Sequence, residues 1–133
     1  MADPALLDGD GYPQEAWLAQ LRAWPLEAAE ALPAEMARGW LYADLAREVR
    51  RGRWVFATVG WSGHEAIVRA ARQSLAWRWL GWRAIELPGG LLVVAVTREA
   101  AEELEAVFEA LTAWAWSEAP WPARPAQEVG DGG

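Results

Sequence analysis

The chain has 133 residues, of which 53% are apolar and 23% charged, and this composition indicates one globular domain rather than a disordered protein. Without cysteine it cannot form disulfides or cysteine metal clusters, and without lysine it cannot carry a Walker phosphate-binding motif. The net charge of −7 disfavours general affinity for nucleic acid. No apolar run reaches the length of a membrane span, and the N-terminus has acids where a signal peptide has bases. We therefore expect a cytoplasmic protein with no membrane segment and no cofactor.

The first quarter of the sequence predicts an arm followed by a helix. Residues 1–11 are acidic and glycine-rich, which is typical of a flexible arm. Pro13 suits the first position of a helix, and helical spacing continues through Trp17, Leu18, Leu21 and Trp24. Pro25 interrupts this pattern, and residues 26–32 add a short helical piece.

A second helix is predicted over residues 34–51, opened by Pro33. Its apolar stripe has the spacing i, i+4, i+8 and consists of Leu41, Leu45 and Val49. Gly52 follows at the position where a glycine commonly ends a helix.

Three strands are predicted in the remaining sequence. Residues 54–59 are aromatic, β-branched and apolar on both faces, which indicates a buried strand. Residues 82–87 and 91–96 flank the Pro-Gly-Gly hairpin signal at 88–90, and the second of these segments is the most apolar in the chain.

Two further helices and a tail complete the predicted elements. One helix spans 63–80, between the first two strands, and another spans 98–116 with Thr97 as its cap. Residues 117–133 are rich in proline and glycine, so we predict a disordered tail.

The element order is therefore α-α-β-α-β-β-α, in a single α+β domain over residues 12–116. We predict a small three-stranded sheet with helices packed mainly on one face. The strand at 91–96 would lie between the other two and antiparallel to both.

Charge is distributed unevenly along the chain. Residues 38–83 contain nine of the twelve arginines and only three acids, a local charge of +6, together with six of the eleven tryptophans. On the predicted helices, several of these side chains share faces directed away from the apolar stripes. The candidate binding residues are Trp40, Arg47, Arg51, Arg69 and Trp77. Tryptophan and arginine are enriched in protein-binding hot spots.

Two other interpretations of this basic block stay open. The first, favoured by the usual place of large aromatics in cores, is that the tryptophans close a second layer and that glutamates of helix 98–116 neutralise the arginines. The second is an anion-binding face for phosphate or nucleic acid. Its added residues would be Arg50, Arg53 and Arg72, with Ser62 and Gly63 at a helix N-terminus.

The segment from Gly60 to Glu65 contains a motif that resembles part of a hydrolase nucleophile elbow. His64 takes the place of the last glycine and lies too close to Ser62 in sequence to serve as a triad base. A capping box, in which Ser62 and Glu65 bond each other's backbone N–H, explains the same residues. His64 is the only histidine, which makes a histidine-based metal site improbable, so we predict no metal.

The run Gly60-Trp61-Ser62-Gly63-His64-Glu65, the clustered tryptophans up to Trp82 and the Gly89-Gly90 pair resemble a group of small uncharacterised phage and prophage proteins. That group has a W-S-G-x-E turn, a tryptophan-rich helix end and an R-G-G before a strand. Here Pro88 stands in the place of that arginine. The resemblance covers residues 53–97 and implies no known activity.

The leading functional hypothesis is a small non-enzymatic accessory protein that binds a protein partner, or a second copy of itself, through the arginine–tryptophan set. Nucleic-acid or phosphate binding by residues 38–83 is the alternative. A hydrolase using Ser62 ranks last, because no partner for it is visible in the sequence.

Overall fold

The computed structural model describes residues 5–115, and the side chains of Trp82 and of residues 107–115 lie outside that description. Within this range the helices are α1 (Glu15–Arg22), α2 (Leu32–Arg38), α3 (Ser62–Arg72), α4 (Trp77–Leu80) and α5 (Arg98–Ala115). The strands are β1 (Ala46–Arg50), β2 (Arg53–Ala57), β3 (Ala84–Leu87) and β4 (Leu91–Ala95). Short 3₁₀ turns occupy Leu26–Ala31, Ala43–Leu45 and Gly81–Arg83. The predicted tail at 117–133 falls outside the described residues.

The sheet has four strands in the order β1-β2-β4-β3, and all neighbouring strands are antiparallel. The α+β class is as predicted, but the three-stranded sheet is wrong. The predicted central position of the strand at 91–96 is confirmed, because β4 pairs with β2 through Phe56↔Leu92 and with β3 through Ile85↔Val93.

The missing strand is β1, which lies in the segment predicted as helix 34–51. Helix α2 ends at Arg38, and Ala46–Arg50 pairs with β2 to form a hairpin whose turn contains Gly52. The spacing of Leu41, Leu45 and Val49 fits a helix, but pairing with a neighbouring strand overrides this local pattern. Val49 is exposed rather than buried as the helix would require.

The predicted helix 63–80 is interrupted by Ser74, which is buried. Its hydroxyl donates to the Ala71 carbonyl at 2.6 Å and accepts from the backbone N–H of Trp77 at 3.3 Å. A serine that bonds nearby backbone groups competes with the helical pattern, and here it ends α3 and begins α4. Leu75, which a continuous helix would direct inward on the same face as Ile67, is exposed in the connection.

Two apolar cores lie on the two faces of the sheet. The larger core joins α1, α2, α3 and α4 to one face and contains Trp17, Met36, Phe56, Ile67 and Val94. The smaller core joins α5 to the opposite face and contains Val93, Ala95, Ala100 and Leu104. The predicted last helix is confirmed, with Thr97 accepting the backbone N–H of Ala100 at 3.2 Å.

Close packing of Trp17 on Gly39 fixes the end of α2. The Trp17 indole N–H donates to the Glu35 carboxylate at 2.8 Å, which joins α1 to α2. A Cβ atom added to Gly39 would lie 2.2 Å from the Trp17 ring, so no side chain fits there.

We expect Gly39→Ala to lower the free energy of unfolding by about 1–3 kcal/mol, because the added methyl group overpacks a buried indole. Chemical denaturation measures this change. Gly9→Ala is the matched control, since a Cβ at Gly9 has no heavy atom within 4 Å. An equal effect of the two substitutions would contradict the packing described for Gly39.

Candidate interaction surface

Trp40 lies in the main core and not on the surface. Its side chain is 0% exposed, its indole N–H donates to the Ala57 carbonyl at 3.0 Å, and its ring stacks on His64 with centroids 4.3 Å apart. The prediction that Trp40 lies away from the core is therefore wrong. Because α2 ends before Trp40, the ring is free to turn inward, whereas a continuous helix would have directed it outward.

The other four predicted binding residues do not share one surface. Arg47 lies on β1 opposite Val55, whose side chain faces the smaller core, and Arg51 lies in the hairpin turn. Arg69 lies on the outer side of α3, and Trp77 is half-buried against the main core. The set is therefore divided between the two faces of the sheet.

Several arginines of the basic block are neutralised within the fold. Arg50 and Arg53 both pair with Glu103 of α5, at 2.9 Å and 3.6 Å, and Arg72 pairs with Glu86 of β3. Arg83 lies over the Trp79 ring, 4.3 Å from its centroid. The interpretation in which helix 98–116 neutralises arginines therefore holds for Arg50 and Arg53.

Ser62 and Gly63 begin α3 in a way that differs from the predicted capping box. Trp61 is the N-cap, Ser62 is the first helical residue, and its hydroxyl lies 3.4 Å from the Tyr12 hydroxyl. A Cβ added to Gly63 would lie 2.3 Å from the Trp61 ring, so this ring covers the Gly63 backbone. The Trp61 indole therefore lies against the first turn of α3, and no side chain fits at Gly63.

Both ring nitrogens of His64 are engaged by the backbone. Nδ1 lies 3.0 Å from the Thr58 carbonyl, and Nε2 accepts the Leu41 N–H at 3.1 Å. This arrangement requires the neutral tautomer with the proton on Nδ1. Burial lowers the pKa of His64 below its usual value of 6.5, and the bond to Thr58 offsets part of that shift. With both nitrogens committed, His64 has none left to act as a base toward Ser62.

Beside His64 lies a group of side chains that we call the aromatic surface: Tyr12, Tyr42 and Val59, which are exposed, and Trp61, which is half-buried. Tyr12 contacts Trp61 with ring centroids 4.8 Å apart, and the rings of Trp61 and Tyr42 lie 4.6 Å and 5.9 Å from His64. Tyr12, Tyr42 and Val59 are 41%, 53% and 55% exposed. Tyr42 and Trp61 thus contact the buried imidazole directly, and Tyr12 is linked to it through the Trp61 ring.

Val59 has an unfavourable backbone conformation at this surface. Its φ is 49°, and Gly60 follows with φ 72° in the tight turn between β2 and α3, closed by the bond from Trp61 N–H to the Thr58 carbonyl at 3.0 Å. A β-branched residue with positive φ is a genuine outlier, and such strain is concentrated at functional sites. Val59 is exposed and belongs to neither apolar core, so core packing does not explain this conformation.

Sequence patterns do not reveal the aromatic surface, because its residues come from three separate segments of the chain. Tyr12 precedes the helix predicted to begin at Pro13, and Tyr42 falls in the middle of the predicted helix 34–51. The signal in the sequence is the Val59-Gly60 pair between a strand and a helix. A tight turn with positive φ at both of these residues places a valine in a strained conformation.

A cleft lies between α3 and the β3–β4 hairpin. This cleft has a volume of about 320 Å³, and its charged lining consists of Glu65, Arg69, Arg72 and Glu86. Two arginines and two glutamates balance in charge, so the cleft does not constitute a basic pocket.

Comparison with protein-family models, with curated protein sequences and with solved structures finds no match to this chain. Among the described side chains, those of residues 5–81 and 83–106, no group of three acidic or histidine residues is placed to hold a metal ion. In the described part of the chain, none of the helices combines the length and apolarity that a membrane span requires.

Acidification should destabilise the fold through His64. Its pKa is lowered on folding, so its contribution to stability is complete above pH 6.5 and is lost as the pH falls from 6.5 through the lowered value. The free energy of unfolding should decrease by at most about 1.4 kcal/mol per pH unit in that window. Denaturant unfolding between pH 8 and 5 (about the range in which histidine titrates) measures it. His64→Gln should abolish this slope, and a slope retained in that variant would assign it elsewhere.

Val59→Asn should raise the free energy of unfolding by about 1 kcal/mol, because asparagine tolerates positive φ better than valine. Gly60→Ala should have the opposite sign, since it places a side chain at φ 72° although the space around it is open. Thermal and chemical denaturation measure both variants. Loss of stability in Val59→Asn would show that the valine side chain is held by packing instead.

Proposed function

We propose that this protein is a small non-enzymatic interaction protein that binds a protein partner through the aromatic surface. The observation that carries the proposal is a chain of ring contacts in which exposed Tyr12 contacts Trp61, while Trp61 and exposed Tyr42 both contact His64. Exposed Val59 lies two residues before Trp61, in the adjoining turn. Tyrosine and tryptophan dominate protein-binding hot spots, and clustered exposed apolar side chains mark binding sites more often than scattered ones do.

The rigidity of the aromatic surface supports the same proposal. Trp61 rests on Gly63 and against His64, and His64 is fixed by two backbone bonds. Tyr12 is held by the preceding loop, in which the Asp8 carboxylate accepts the Tyr12 N–H at 3.0 Å. Side chains that are ordered before binding lose less conformational entropy on association, which favours affinity.

The geometry gives less support to the nucleic-acid or phosphate alternative. Phosphate binding requires a contiguous basic face, whereas the arginines of residues 38–83 lie on both faces of the sheet and several are paired with glutamates. A hydrolase using Ser62 also has little support, because the hydroxyl of Ser62 faces Tyr12 and His64 is bonded elsewhere. A phage origin and a cytoplasmic location stay predictions.

Partner capture tests the proposal. Tagged wild-type protein is incubated with nuclease-treated lysate, and captured proteins are identified by mass spectrometry. The affinity of the partner is then measured with purified components. The double variant Tyr12→Ala/Tyr42→Ala should weaken binding at least about tenfold, as expected for hot-spot residues.

The matched control is Leu26→Ala/Leu75→Ala, which removes two other exposed apolar side chains and leaves the aromatic surface intact. The control should bind like the wild type, and both variants should retain the wild-type circular dichroism spectrum. Equal binding by all three proteins, or equal loss in both variants, would refute the aromatic surface as the binding site.

A further inference from the structure

Strand β1 forms one edge of the sheet, and four of its five residues are exposed: Arg47, Glu48, Val49 and Arg50. It pairs with β2 on one side only. Among residues 5–115, its backbone makes no hydrogen bond beyond that ladder. An edge strand directs alternate N–H and C=O groups away from the sheet, where another extended chain can bond to them.

The charges next to this edge are mainly positive. Arg47 and Arg51 make no ion pair within the described residues, while Arg50 and Arg53 share the single carboxylate of Glu103. The carboxylate of Glu48 is engaged by the Gly52 N–H at 2.8 Å in the hairpin turn. Among the described side chains, the edge therefore offers two guanidinium groups without an ion pair, beside backbone groups that make no further hydrogen bond within residues 5–115.

This charge pattern selects among the possible occupants. A second copy of the chain pairing edge to edge would bring arginines of both copies together, and like charges in register destabilise a strand pair. A segment rich in glutamate or aspartate would instead place carboxylates beside Arg47 and Arg51. Bidentate pairing of arginine with carboxylate would then add to the backbone bonds.

We propose that the β1 edge binds an acidic, extended segment of another protein by strand addition, with Arg47 and Arg51 pairing with its carboxylates. This site is separate from the aromatic surface. The two sites have no residue in common: Arg51 in the hairpin turn and Val59 lie at opposite ends of β2, roughly 20 Å apart along the strand, and Arg47 lies opposite Val55 between them. Each site can therefore succeed or fail independently of the other.

The probe is a fluorescein-labelled peptide of about eight residues that alternates glutamate and valine, a length that suits one strand. Fluorescence anisotropy at low salt should detect its binding to the full chain. Arg47→Glu/Arg51→Glu should weaken that binding about tenfold or more. Arg69→Glu/Arg78→Glu, two exposed arginines on α3 and α4, changes the net charge equally and should leave the affinity within about twofold of the wild type.

A second peptide separates strand addition from simple attraction between charges. It has the same sequence with N-methyl groups at alternate residues along one edge, which removes backbone donors and keeps every carboxylate. Its binding should be lost, and the unmodified peptide should slow amide hydrogen exchange in β1.

Five outcomes would overturn the proposal. Equal binding of the methylated peptide, or an equal effect of the control variant, would reduce the interaction to general electrostatics. Absence of binding at low salt would leave the arginines as a device that protects an edge strand from aggregation. Tighter binding of a single-stranded oligonucleotide, lost in Arg47→Glu/Arg51→Glu, would assign the edge to nucleic acid. A dimer in sedimentation that this variant dissociates would assign it to a second copy.

Discussion

The buried contact between Trp40 and His64 is the constraint on which the rest of the structure depends. Trp40 bonds the end of β2 through Ala57, while His64 bonds Thr58 on the same segment and Leu41 beside Trp40. The two stacked rings therefore join the chain after α2, the end of β2 and the beginning of α3. Each polar atom of the two rings has a backbone partner, so burying them leaves no unsatisfied group. The contact adds hydrogen bonds to a junction at which Met36, Phe56 and Ile67 also share the main core.

The same contact determines what the surface above it presents. Because His64 is fixed from below, Trp61 can rest against it, and Tyr12 in turn rests against Trp61. Val59, whose positive φ lowers stability, lies in the turn that brings Trp61 into place. A strained turn that carries exposed apolar side chains is more readily explained by binding than by folding. The buried rings of Trp40 and His64 thus stabilise the fold. The strained turn at Val59 lowers that stability and holds the aromatic surface in an exposed position.

The sequence predicts those elements whose conformation follows from a local pattern, and it does not predict those that depend on contacts between distant segments. The strands β2 and β4 and the helix α5 were predicted because their burial imposes local patterns, in particular the continuous apolar run at 91–96. Strand β1 was not predicted, because an exposed edge strand has no alternation of apolar and polar residues. Its extended conformation comes from pairing with β2. The predicted position of Trp40 was wrong for the same reason, because the prediction placed Trp40 on a helix that ends at Arg38. The aromatic surface joins residues from three segments, and only tertiary packing brings them together.

The order of strands in the sheet has a consequence for how the chain reaches this structure. The β1–β2 and β3–β4 pairs are hairpins closed by short turns, at Gly52 and at Gly89-Gly90, so each requires little loss of chain entropy to form. The central β2–β4 pairing joins segments separated by all of α3 and α4. Such a distant pairing is slow to form. We therefore expect the two hairpins to appear early in folding, and the joining of β2 to β4, together with the burial of Phe56 against Leu92, to set the rate.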